Sequence, residues 1–133
     1  MEHTFKIEKE LKITTENIAD CVLSCEAGGF DYWGELCSDE KDYEAARRRL
    51  TEREKADMKP CYEDVLAEIL ESGGKLTVYD REDDKDHELT LEKLLNGWKK
   101  YTEDHNADDF DEYDGISADC IMQYAIFGDV IYG

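Results

Sequence analysis

Apolar positions recur along this chain with two different periods. Between Thr4 and Ile13, the residues Phe5, Ile7, Leu11 and Ile13 share one parity, with Lys9 the exception. A period of two predicts a half-buried strand. Thr14 or Thr15 can then cap a helix. Within it Ile18, Cys21, Val22 and Cys25 follow at the i, i+3, i+4, i+7 spacing that sets four side chains on one face. Gly28-Gly29 is expected to end this helix by entering the left-handed conformation. Phe30, Tyr32 and Trp33 follow in a loop or short extended piece, whose alternation sets Phe30 and Tyr32 on one side and Trp33 on the other.

A second helix is predicted over about residues 41–57, capped by Ser38 or Asp39. Its apolar stripe of Tyr43, Ala46 and Leu50 is thin and its remainder highly charged, which predicts a solvated excursion. Pro60 suits the first turn of a third helix. Val65, Leu66, Ile69 and Leu70 form that helix's face, and Gly73-Gly74 ends it. Lys75 to Asp80 has the composition of a strand. Residues 81–86 are a charged turn, and His87 to Thr90 returns as the second strand of a hairpin. Thr90 can cap a helix with Leu91, Leu94, Leu95, Trp98 and Tyr101 on its face. Ser117 can cap a last helix that buries Ile121, Met122, Ala125 and Ile126. Phe127-Gly128 stops it, and Val130 to Tyr132 is expected to finish as a strand. Together these elements predict a single α+β domain over residues 1–133, with about four helices packed on a small, mainly antiparallel sheet.

Charge changes this otherwise ordinary picture. The chain has 133 residues, of which 41% are hydrophobic, enough for a packed core. Its 35 acidic residues against 16 basic ones give a formal charge of −19. Direct nucleic-acid binding is therefore not expected, because displacing counterions from phosphates needs a basic face. Anionic membrane surfaces are disfavoured for the same reason. No apolar run approaches the roughly 18 residues of a membrane span, and the charged N-terminal stretch predicts no secretory signal. The five cysteines form no Cys-x-x-Cys pair. They predict reduced thiols in a cytoplasmic setting.

Candidate chemistry is sparse. Asp109, Asp111 and Asp114 approach the spacing of a calcium loop, but the glycine at its sixth position and the glutamate at its twelfth are missing. Cys21 and Cys25 lie one helical turn apart without a second ligand cluster for zinc, and His3, His87 and His105 have no metal-ligand spacing. No nucleophile, base or phosphate-loop signature is present, so neither an enzyme nor a cofactor is predicted. Two stretches can still bind something. The acid-rich runs 81–86 and 103–114, with Asp83, Asp84, Asp108, Asp109, Asp111, Glu112 and Asp114, can meet a basic protein surface. Alternatively Gly28, Gly29, Phe30, Tyr32 and Trp33 can hold a nucleotide-like ligand. The rings would stack on its base and the glycine amides approach its phosphate, provided one of Arg47, Arg48 or Arg49 turns inward. Otherwise these aromatic residues, with Trp98 and Tyr101, pack the helices against the sheet.

Gly28-Gly29-Phe30-Asp31-Tyr32-Trp33, Leu89-Thr90-Leu91 and Phe127-Gly128-Asp129-Val130-Ile131-Tyr132-Gly133 together resemble a group of small acidic proteins encoded by phages and prophages. That group shows Glu-Gly-Gly-x-Asn-Tyr-Trp after an amphipathic helix and ends in Phe-Gly-Glu-Val-x-Tyr-Gly. This chain departs from the pattern in placing Ala27 directly before the glycines and Glu26 one position earlier. The group carries no general activity, and its phage context implies host takeover or counter-defence. The expectation that follows is an anti-CRISPR-like inhibitor acting in the host cytoplasm. It would bind a host protein with a basic nucleic-acid-binding surface, such as a CRISPR effector, by acidic mimicry. The alternative expectation is a protein that binds or sequesters a nucleotide signal through residues 28–33.

Overall fold

The computed structural model describes residues 2–5, 10–54, 60–105 and 115–133. In chain order they form α1 (Thr15–Ala27), α2 (Phe30–Trp33), β1 (Gly34–Cys37), α3 (Glu40–Glu54), α4 (Tyr62–Glu71), β2 (Leu76–Asp80), β3 (Lys85–Leu89), α5 (Leu91–His105) and α6 (Gly115–Phe127). The class is α+β as expected, with six helices where about four were predicted. The three strands pair in the order β1-β2-β3, and both pairings are antiparallel. Alternation decides which way each strand faces. Leu36, Leu76, Val78 and Leu89 point into the core, while Glu35, Cys37, Asp86 and Glu88 point out to solvent. Among the described residues no helix is long and apolar enough to cross a membrane.

Local chemistry explains most helix boundaries. Thr14 caps α1 in a reciprocal box with Asn17: the Asn17 amide donates to the Thr14 hydroxyl at 3.2 Å, and the Thr14 amide donates to Asn17 Oδ1 at 2.9 Å. Asp39 caps α3 by accepting from the amides of Lys41 and Asp42. Thr90 accepts from the Lys93 amide and starts α5. Pro60 lies just before the N-cap Cys61 of α4, one step outside the expected first turn. Ser117 does not cap α6. It lies inside the helix, where its hydroxyl accepts from Tyr101 at 3.0 Å. Gly97 lets α5 and α6 approach closely, since a Cβ there would lie 2.5 Å from the Ala125 nitrogen.

The predicted solvated helix is instead clamped to its neighbour. Ala46 and Leu50 of α3 are buried. Glu68 of α4, itself only 6% exposed, accepts from Arg49 at 3.2 Å and from Arg53 at 3.0 and 3.1 Å. Burial alone would raise the Glu68 carboxyl, but hydrogen bonds and charge from Arg53 and Arg49 bring it below its ordinary value. A carboxyl lowered by folding contributes stability above its unfolded range and loses it as pH falls through the lowered value. Glu68→Gln should therefore cost about 1–2 kcal/mol at neutral pH, the two arginines being partly solvated. The gap between variant and wild type in urea unfolding should close as the pH is lowered. A gap that stays constant with pH would mean that the clamp does not titrate.

Among the described residues two predicted strands do not form; residues 6–9 of the first lie outside the described residues. Residues 10–14 run without strand pairing. Of the described positions on that parity, Phe5 is 80% exposed, Leu11 is 37% exposed and Ile13 is half-buried, so none of them is buried as a strand face would be. The last residues do bond like a strand, but to a side chain. The fully buried Gln123 of α6 accepts from the amides of Ile131 at 2.9 Å and Tyr132 at 2.8 Å, and donates to the Tyr132 carbonyl at 3.0 Å. A primary amide carries the same donor and acceptor as a peptide group, so it replaces a neighbouring strand.

Candidate interaction site

Residues 28–33 and the C-terminal segment meet in one aromatic joint. α1 stops at Gly28-Gly29, as its pattern predicts, but neither glycine is left-handed; their φ values are −115° and −65°. Gly29 instead lies close to α6: a Cβ there would lie 3.1 Å from Asp119 Oδ2, so a larger residue would make that carboxylate shift by a few tenths of an ångström. The next residues form a single helical turn, not an extended piece, and this reverses the expected sidedness. Phe30 and Trp33, three apart, are buried together at 1% and 2% exposure, while Tyr32 is 87% exposed. The Trp33 ring packs 4.9 Å from Phe30, 5.3 Å from Phe127 and 5.4 Å from Tyr132. Its indole N–H donates to Asp119 Oδ1 at 2.7 Å. Gly128, with φ +79°, turns the chain so that the C-terminal segment can fold back.

This joint reaches the β2–β3 hairpin through Tyr132. The Tyr132 hydroxyl donates to Asp80 Oδ2 at 2.8 Å, and burial followed by that bond and charge pushes its phenol up to about 12. Asp80 is 1% exposed. Its other oxygen accepts from the amides of Glu82 at 3.0 Å and Asp83 at 3.3 Å. A buried carboxylate thus ties the turn's backbone to the core. Asp84 closes the turn with φ +50°, a left-handed conformation that aspartate tolerates, and its carboxylate accepts from the Tyr79 hydroxyl.

The surface presented this way is acidic. Register aligns Glu35, Tyr79 and Asp86 in one row across the outer face of the sheet, and Cys37, Thr77 and Glu88 in the next. Among the described residues no helix covers this face. Asp83 and Asp84 extend it beyond the strand ends, with Glu82 beside them. Four cations lie along it among the described residues: Lys75 on Glu88 at 2.6 Å, Lys93 on the Glu88 carbonyl at 2.9 Å, Lys85 near Asp83 at 3.4 Å, and Arg81 between Asp31 and Glu35 at 3.7 and 3.8 Å. Partial burial and then the Glu35, Asp86 and Glu26 carboxylates raise the Cys37 thiol, a local sign of the field on this face.

The sequence-predicted site residues divide accordingly. Asp83 and Asp84 lie on the exposed turn. Asp108, Asp109, Asp111, Glu112 and Asp114 lie outside the described residues. Of the alternative set, Phe30 and Trp33 are interior and have no free ring face for a base, which leaves Tyr32 exposed. Of the three arginines, Arg47 pairs with Glu44 at 2.8 Å, Arg49 donates to Glu68 and Ser72, and Arg48 is exposed. Glu26, the displaced motif acid, accepts from Tyr62 at 3.1 Å. Burial raises its carboxyl and that hydrogen bond draws it partly back. Asp86 falls within the predicted acidic run 81–86, whereas Glu35 and Glu88 lie outside both runs: β1 is not predicted, and Glu88 stands within the predicted returning strand.

Cysteine reactivity gives a direct check on this arrangement. Cys21 and Cys25 are buried, while Cys37 and Cys61 are exposed. Burial pushes the Cys21 thiol up to about 12 and raises Cys25 as well. Iodoacetamide under native conditions should modify Cys37 and Cys61 and spare Cys21 and Cys25, read by peptide mass spectrometry. Rapid labelling of Cys21 and Cys25 in folded protein would show that this face of α1 is not core.

No family model, no curated protein and no solved structure matches this chain.

Proposed function

We propose that this protein is an inhibitory binding protein that occupies the nucleic-acid-binding surface of a basic partner, with carboxylates standing where phosphates would lie. One observation carries this reading. Glu35, Asp86 and Glu88 on the outer sheet face, with Glu82, Asp83 and Asp84 on a turn tied down by Asp80, outnumber the cations Lys75, Arg81, Lys85 and Lys93 set among them. A basic channel would steer such a surface in and be neutralised by it. Tyr79, at the centre of the Glu35–Asp86 row, adds a ring on which a partner arginine can stack. The resemblance to phage-encoded acidic proteins favours a host nucleic-acid-processing protein as the partner, a CRISPR effector among the candidates, and a role in counter-defence in the host cytoplasm. Binding, not catalysis, is the proposed activity.

The test is capture of partners from host lysate on immobilised protein at low and high salt, identified by mass spectrometry. The expected catch is a nucleic-acid-binding protein that is released by salt and by added nucleic acid. A catch indifferent to both would contradict the proposal.

A further inference from the structure

A second feature of the surface is a largely apolar cleft beside α5. Residues 10–14 and α5 enclose a half-open cleft of about 460 Å³, within the roughly 300–1,000 Å³ of small-ligand sites. Leu11, Ile13, Leu95 and Trp98 make its apolar lining. Leu11 and Leu95 are 37% and 36% exposed there, so the cleft holds apolar surface in contact with water. The polar groups at its rim are few. Thr102 has already given its hydroxyl proton to the Trp98 carbonyl at 2.9 Å. Lys99 and Glu103, one helical turn apart, both line the cleft but form no ion pair with each other, since their charged atoms do not approach within ion-pair distance. Among the described residues Lys99 is therefore an exposed cation without an ion-pair partner, in a chain of charge −19.

We infer that this cleft binds a small amphipathic monocarboxylate, its apolar body on Leu11, Ile13, Leu95 and Trp98 and its carboxylate on the Lys99 ammonium. Burial of the alkyl or aryl body supplies the driving force, and Lys99 supplies the orientation. Glu103 selects for one charge. A phosphate monoester or nucleotide would bring a second negative charge against that carboxylate and into the field of the whole acidic chain. A single carboxylate at Lys99 feels the distant charges only through about 8 Å of screening length at physiological salt.

The probes are octanoate and 1-octanol, titrated into ¹⁵N-labelled full-length protein and followed by backbone amide shifts. Octanoate should shift residues 11, 13, 95, 98, 99 and 102 saturably and bind more tightly than the alcohol. Lys99→Gln should weaken octanoate about tenfold, the value of one charge-assisted hydrogen bond, and leave octanol unchanged. Leu95→Glu should abolish binding of both, with Leu11→Glu as the second variant should the first misfold by circular dichroism. Shifts that map elsewhere, absence of binding at millimolar octanoate, or equal affinity of octanoate for wild type and Lys99→Gln would each overturn the inference.

Discussion

Replacing Trp33 by alanine should cost about 3–5 kcal/mol, the range for removing a large buried aromatic side chain. That is a large share of the roughly 5–15 kcal/mol that holds a domain of this kind together. The loss has three sources at this position. The ring is 2% exposed, it contacts Phe30, Phe127 and Tyr132, and its N–H satisfies Asp119. Trp33→Phe keeps part of the packing and removes the hydrogen bond, so it should lie between wild type and alanine. Tyr32→Ala, one position earlier, removes a ring that is 87% exposed and should stay within about 0.5 kcal/mol of wild type. Urea unfolding of the three variants checks this order. Equal stabilities for Trp33→Ala and Tyr32→Ala would mean that the joint is not packed as described.

The second large effect concerns binding. Glu35→Gln, Asp83→Asn, Asp84→Asn and Asp86→Asn together remove four negative charges and keep side-chain size. Asparagine tolerates the left-handed backbone at position 84 and can still accept from Tyr79. The fold should survive, and relief of repulsion should leave it as stable or more so. Affinity for a basic partner should fall by roughly 10- to 100-fold, chiefly through slower association. The matching amide variant of Asp108, Asp109, Asp111 and Glu112 tests the other acidic run by the same measurement. A hairpin variant that binds as wild type at equal salt would remove the hairpin from the interface.

The two effects are linked by construction. The motif residues that first drew attention to residues 28–33 do not line a pocket. They fix the C-terminal segment, whose Tyr132 holds Asp80, and Asp80 holds the acidic turn. Trp33→Ala should therefore also weaken partner binding while leaving every carboxylate of the acidic face in place.

What was legible in the sequence was the part governed by period and punctuation. Ile18, Cys21, Val22 and Cys25 fall on a buried face because the spacing allows nothing else, and the β2–β3 hairpin announced itself by a charged turn between two strand-like runs. Punctuation was sound even where its reason was not. Gly28-Gly29 stops α1, but Gly29 also packs closely on Asp119, ninety residues on, which no local rule reports. Period failed in short segments. Four residues, Phe30 to Trp33, fit alternation or one helical turn equally well, and tertiary packing decided for the turn. Gln123 replacing a strand, and Asp80 bridging turn and C-terminal segment, depend on side chains far apart in sequence. Gly97 inside a strong helical pattern was the one available hint of a close helix contact, since glycine there otherwise only weakens the helix.

Competition measures the central claim most directly. A captured basic partner is held at fixed salt with a labelled nucleic acid that it binds, and this protein is titrated in. The account predicts full displacement by wild type, displacement that weakens steeply with added salt, and much poorer displacement by the Glu35, Asp83, Asp84, Asp86 variant. A stable complex in which the partner keeps its nucleic acid, at any ratio of this protein, would contradict it.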